Sequence, residues 1–211
     1  MIILEHMKKI ECLKKQFRII TYKNNLIAIS SRNRGFKKKS AIIYSHGKFI
    51  EDFGINSALN FGYDLYNIMS AVEKAGYFCF IPLRPKDTKD NEIDIIENAI
   101  EYLKKKKLPN IGIIAYSKGA NLAINTPAIN NLSAAVIIAP RMKEDTINRI
   151  NAFKVPLLLI LGANEKKAFR QNPKKNKKEI KIYRQDHIWF WQPRGQYWTD
   201  SINFIKKTMA K

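Results

Sequence analysis

Cysteine is nearly absent from this chain: Cys12 and Cys79 are the only two in 211 residues. A pair in such different settings excludes a disulfide framework. Cys79 lies inside the apolar run from Tyr77 to Leu83 and reads as a buried structural thiol. Histidine is equally scarce, with His6, His46 and His187 alone. No His or Cys spacing matches a zinc site, and the chain is read without a metal or organic cofactor. Long apolar runs are missing too. None reaches the roughly 18 residues that a bilayer-spanning helix needs. The stretch from Met1 to Lys15 lacks a continuous apolar core and a small-residue cleavage site, and the expectation is a cytoplasmic protein.

Acidic residues are few as well. Eighteen Asp plus Glu face 38 Lys plus Arg, a formal charge of +20. Such a balance suits a polyanionic partner, either nucleic acid or an anionic membrane surface. A blander origin competes with that reading. Lys far outnumbers Arg, and Ile and Asn are abundant with it, a trio that AT-rich coding produces together. Nucleic-acid readers lean on Arg for bidentate contacts. The basic runs, 37–39, 104–107 and 174–178, are scattered over expected loops and helix ends. A partner of that kind is therefore not favoured.

What is present is an ordinary globular composition, 45% hydrophobic and 27% charged. The length suits one domain, taken as residues 17–211, behind a lead-in of uncertain structure at 1–16. Phe17 to Tyr22 and Leu26 to Ser30 are β-rich runs about a turn at Asn24-Asn25, which predicts a hairpin. Ala41 to Tyr44 is a continuous apolar run, as in a strand buried on both faces. A long loop rich in Phe, Gly and Asn is expected next, to about Gly62. Leu65, Ile68, Met69 and Val72 recur at helical spacing and Gly76 closes that helix. Thereafter strand and helix alternate. Strands are expected at Phe78–Leu83, Ile111–Ala115, Ala134–Ala139, Val155–Leu161 and Glu179–Tyr183. Helices are expected at Asp90–Lys107, Ser117–Ile124, Asp145–Ile150 and Thr199–Lys207. This is the pattern of an α/β protein with a mostly parallel sheet and helices on both faces.

In open sheets of this kind ligands gather at the carboxyl ends of the strands. Four places there carry reactive groups. At Ala115-Tyr116-Ser117-Lys118-Gly119 a buried strand runs straight into a helix, with small residues two positions either side of Ser117. That context sets a serine hydroxyl above a helix N-terminus, as a nucleophile requires. The simpler alternative is that Ser117 is a helix cap. His187, after the last strand, is the imidazole able to take the serine proton. Glu165, in Gly162-Ala163-Asn164-Glu165, is the carboxylate able to orient that imidazole, with Asp145 the other candidate. At Ser45-His46-Gly47-Lys48 the glycine allows close backbone approach. The amides of Lys48 and Lys118 would then form an oxyanion hole, with His46 bracing the loop through hydrogen bonds.

Together these residues resemble the α/β-hydrolase superfamily, in its chain order of oxyanion loop, serine, acid and histidine. The likeness runs from about residue 17 to the end and is nearest to small, lidless members of the dienelactone hydrolase-like and carboxylesterase type. It implies a sheet of about eight strands whose second is antiparallel to the rest. It also implies Ser117 as nucleophile, His187 as base and Glu165 as orienting acid. Departures are Ala115 where Gly is commoner, and Glu at the acid position where Asp is. Dienelactone hydrolases proper use cysteine where this chain has Ser117, so their substrate does not carry over. The short connection from Ala139 to Val155, about fifteen residues, leaves no room for a lid domain.

The function expected on this basis is a serine hydrolase of small to medium carboxylic esters, working through an acyl-enzyme. Amidase, peptidase and thioesterase activity use the same three residues, and a non-catalytic polyanion binder is a further alternative. Phe49, Tyr116 and Trp189 are expected to contact substrate. Phe49, Ile50 and Phe53 would form one wall and the aromatics after His187 the other. The side chains of Lys48 and Lys118 would add positive potential that favours an anionic substrate.

Overall fold

The computed structural model describes residues 17–32, 40–86, 92–166 and 178–210. The expected lead-in at 1–16 and the basic runs at 37–39 and 174–177 lie outside them.

Eight strands form one sheet: β1 (Phe17–Thr21), β2 (Ile27–Ser31), β3 (Ser40–Ser45), β4 (Phe78–Pro82), β5 (Asn110–Tyr116), β6 (Ala134–Ile138), β7 (Leu157–Gly162) and β8 (Lys178–Tyr183), in the order β1-β2-β4-β3-β5-β6-β7-β8. The hairpin β1–β2 is antiparallel, and β2 is also antiparallel to β4. Every pairing from β4 to β8 is parallel. The single reversed strand is thus β2, as the resemblance implies.

The helices are α1 (Lys48–Asn60), α2 (Leu65–Lys74), α3 (Glu92–Lys105), α4 (Lys118–Asn125), α5 (Glu144–Ala152), α6 (Ala163–Lys166) and α7 (Gln196–Met209). Alternation along the strands assigns them to faces. Ile42, Tyr44, Ile114 and Tyr116 point into a core with Ile50 of α1, Ile68 and Val72 of α2, and Ile202 and Ile205 of α7. Ala41, Ile43, Ile113 and Ala115 point the other way, against Ile96 and Ile100 of α3, Ala120 and Ile124 of α4, and Ile150 of α5. A sheet buried on both faces needs strands that are apolar throughout, and β3 and β4 are buried at every position. Between β6 and β7 the chain carries only the nine-residue α5.

One expectation is overturned. Residues 48–60 are not a loop but α1, bent at Gly54, whose φ is +77°. The helix buries only Ile50, Ala58 and Leu59. So sparse an apolar face, broken by a left-handed glycine, gives little periodicity to read. The helix starts immediately after Gly47, at the carboxyl end of β3, and this brings its first amides to the edge where β5 ends.

Candidate active site

The turn from β5 to α4 has no spare residue, and Ser117 takes the strain with φ 55° and ψ −118°. Its N–H still extends the β5–β6 ladder by donating to the Ile138 carbonyl at 2.9 Å, while its own carbonyl accepts from Asn121 N–H at 3.1 Å. One residue thus ends a strand and opens a helix. Close packing explains its small neighbours. A Cβ on Gly119 would sit 2.2 Å from the Ser45 carbonyl oxygen, inside van der Waals contact. Ala115 is fully buried between β3 and β6. The Ser117 side chain does not cap α4. It lies 2.8 Å from His187 Nε2.

His187 begins a 3-10 turn, His187–Trp191, that follows β8. Its other ring nitrogen, Nδ1, is 2.7 Å from Glu165 Oε1. A carboxylate facing Nδ1 requires the proton there, which leaves the Nε2 lone pair for the serine hydroxyl. Glu165 stands in α6, immediately beyond β7, and its second oxygen accepts from the Gly162 N–H at 2.5 Å. A Cβ on Gly162 would lie 2.7 Å from that oxygen and 2.8 Å from the Gln185 carbonyl oxygen, so a larger residue would crowd the backbone as well as the carboxylate. The structure therefore brings Ser117, His187 and Glu165 together from the ends of β5, β8 and β7. Asp145 is not part of the group. It is exposed in the first turn of α5.

Gly47 packs against the same point. A Cβ there would fall 2.9 Å from Tyr116 Cε1 and 3.5 Å from Ser117 Cβ. The Gly47 N–H donates to Tyr63 Oη at 2.8 Å, so that amide is engaged. Lys48 and Lys118 are the first residues of α1 and α4, where backbone N–H groups have no partner inside the helix.

Two expectations need correcting. Tyr116 is buried, and its hydroxyl donates to the His187 carbonyl at 3.0 Å. It supports the histidine turn and is too buried to contact substrate as expected. The ammonium groups of Lys48 and Lys118 lie 3.3 Å from Asp52 and 2.7 Å from Glu51. The expected walls also change: Ile50 is buried in the core, as are Phe190, Tyr197 and Trp198 after His187. The Phe49 ring packs near Phe53 and Phe61 and edge-on to Trp191 of the histidine turn, at 5.6 Å. Trp189 is half-exposed on the same turn.

The sequence reading missed Arg84, just past β4. Its guanidinium is 2% exposed and paired with Glu51, itself 8% exposed. It reaches Ser45, His46 and Gly47 together. His46 is fully buried beside it. Burial first, then the Arg84 charge, holds its imidazole well below the ordinary value. Burial likewise lifts Tyr63, hydrogen-bonded to Tyr44 at 3.1 Å, to about 12. Among the described residues no group of three or more His, Cys, Asp or Glu side chains is placed to hold a metal ion. None of the described helices is long and apolar enough to cross a membrane.

No protein-family model matches the chain, and no curated protein does. Solved structures do. The Pyrococcus furiosus esterase Pf2001 is similar at 18% identity and a TM-score of 0.69, over 94% of this chain and 95% of that one. The α/β hydrolase GrgF from a Penicillium species is similar at 12% identity and 0.68, over 92% and 99%. An esterase domain from Rhodothermus marinus is similar at 13% identity and 0.62, over 92% and 97%. With the strand order and the one reversed strand, these likenesses show that the chain has the α/β-hydrolase fold.

Proposed function

We propose that the protein is a serine hydrolase that cleaves small to medium carboxylic esters. One observation carries this reading: the unbroken line from Ser117 Oγ through His187 to Glu165, at 2.8 and 2.7 Å, set on a strained turn at the carboxyl edge of the sheet.

In this reading Ser117 attacks the ester carbonyl carbon while His187 Nε2 takes the hydroxyl proton. The carbonyl oxygen becomes an oxyanion, and the amides of Lys48 and Lys118 donate to it. The imidazolium then protonates the departing alkoxide, the carbon–oxygen bond breaks, and the acyl group remains on Ser117. Water, deprotonated by the same imidazole, attacks the acyl-enzyme; the bond from the acyl carbon to Ser117 Oγ breaks, the imidazolium returns its proton to Oγ, and the carboxylic acid leaves. Glu165 stays ionised throughout and stabilises the imidazolium. Phe49 and Trp189 would contact the apolar part of the substrate. Among the neighbours in fold, two are described as esterases and one as a putative thioesterase, which suits an acyl hydrolase, and we place the ester first.

Matched ester, thioester and amide substrates test it, with Ser117→Ala as the blank. Fastest turnover of the ester, lost in the variant, is expected. A preference for thioester or amide would replace this reading with thioesterase, amidase or peptidase activity. No turnover by folded protein would contradict it. A non-catalytic polyanion binder would then be the better account, with steeply salt-dependent nucleic-acid binding as its signature.

A further inference from the structure

The peptide linking Gly47 to Lys48 is held at its carbonyl. It is trans, as are all the described peptide bonds, so its C=O and N–H point in opposite directions. The Gly47 carbonyl meets two buried side chains. His46 Nδ1 lies 2.9 Å from it. Arg84 Nη2 donates to it at 3.3 Å and also to the His46 carbonyl. Fixing the carbonyl therefore fixes the aim of the Lys48 N–H.

His46 is gripped at both ring nitrogens. The backbone N–H of Arg84 lies 3.3 Å from Nε2, and Arg84 Nη2 lies 3.0 Å from Nδ1, which is itself 2.9 Å from the Gly47 carbonyl oxygen. Arg84 is held in turn. Its Nε donates to Glu51 Oε2 at 3.2 Å and its Nη1 to Ser45 Oγ at 3.4 Å. The other oxygen of Glu51 accepts from Lys118 Nζ at 2.7 Å. Glu51 sits one turn along α1 from Lys48, and Lys118 follows Ser117. A single carboxylate thus ties the helix that begins at Lys48 to the helix that begins at Lys118.

We infer that Arg84 and Glu51, with His46, are positioning residues that aim the Lys48 amide and keep it in register with the Lys118 amide. This rests on the serine-hydrolase reading for its effect on turnover. It goes beyond that reading in assigning a role to three buried groups that never touch substrate. A misdirected amide weakens only the interaction made in the tetrahedral state, so the loss falls on kcat and not on KM.

The test compares Arg84→Met and Glu51→Gln with the wild type, each first shown to be folded by circular dichroism. Glu51→Gln keeps the size of the side chain and serves if Arg84→Met does not fold. The expected result is kcat lower by about 10- to 100-fold, with KM within about a factor of two. Affinity for a trifluoromethyl ketone, which forms a tetrahedral adduct on serine, should fall by the same factor as kcat/KM. Wild-type kcat in either folded variant overturns the inference, as does a lower kcat with unaltered ketone affinity. Nitrogen NMR reads the clamp without turnover, through the Lys48 amide resonance. A shift of that resonance in folded Arg84→Met and Glu51→Gln supports the clamp, and an unchanged one overturns it. If the wild type hydrolyses no ester, the serine-hydrolase reading fails, and that shift alone decides whether the clamp exists.

Discussion

Tyr116 Oη donates to the carbonyl of His187 across 3.0 Å, so the residue before the proposed nucleophile grips the turn that carries the proposed base. The contact joins positions 71 residues apart. It is reinforced by the two rings, whose centroids are 5.2 Å apart. Removing the hydroxyl in Tyr116→Phe should cost about 1 kcal/mol of stability and lower kcat by about tenfold through a less well-held imidazole. Urea unfolding and steady-state kinetics check the two effects. Full activity in the variant would show that the turn needs no such hold.

The strain at Ser117 separates from its chemistry. Both Ser117→Ala and Ser117→Gly should lose ester turnover. Only glycine relieves a φ of 55° with ψ of −118°, because it has no Cβ to crowd the carbonyl. Ser117→Gly should therefore exceed Ser117→Ala in stability by about 1 kcal/mol. Thermal unfolding of the two variants measures the difference, and equal midpoints would contradict a strained turn.

In the proposed mechanism Glu165 is the acid, and Asp145 offers a direct contrast. Glu165→Gln keeps the shape but removes the charge facing His187 Nδ1. It should lower kcat by about 10²- to 10⁴-fold. Asp145→Asn, at an exposed helix start, should leave kcat unchanged. The reverse ranking in ester assays would displace Glu165 from the site.

Much of this was legible in the chain itself. Ser117, Glu165 and His187 each follow a strand end, and small residues crowd the serine. Those are local signals, and the structure brings all three side chains into hydrogen-bond contact. The alternation of strands and helices carried the sheet. Helix α1 was illegible because its apolar face is short and Gly54 interrupts it. The Arg84–Glu51–Lys118 cluster was illegible for another reason. Its members come from three separate elements, and only the adjacency of β4, β3 and β5 makes them neighbours. No spacing along a sequence encodes that. Tyr116 was misread because an aromatic beside a serine fits a pocket wall as well as a buried support, and burial decides between them.

Stability should depend on pH through His46. Burial and Arg84 depress its folded-state pKa well below the ordinary value of 6.5. Below about pH 6.5 the unfolded chain binds a proton there that the folded chain does not. The contribution is whole above that pH and is lost as pH falls toward the folded-state value, by up to about 1.4 kcal/mol per pH unit. Thermal midpoints should therefore drop more between about pH 7 and pH 5 in the wild type than in His46→Gln. Equal drops would mean that His46 is protonated as readily in the folded chain.

The most direct measurement is labelling with a fluorophosphonate, followed by peptide mapping of the modified residue. The account predicts modification at Ser117 in the wild type, none in Ser117→Ala, and little in His187→Ala. Folded wild-type protein that takes no label, or takes it at another residue, would contradict the proposal that Ser117 is an activated nucleophile.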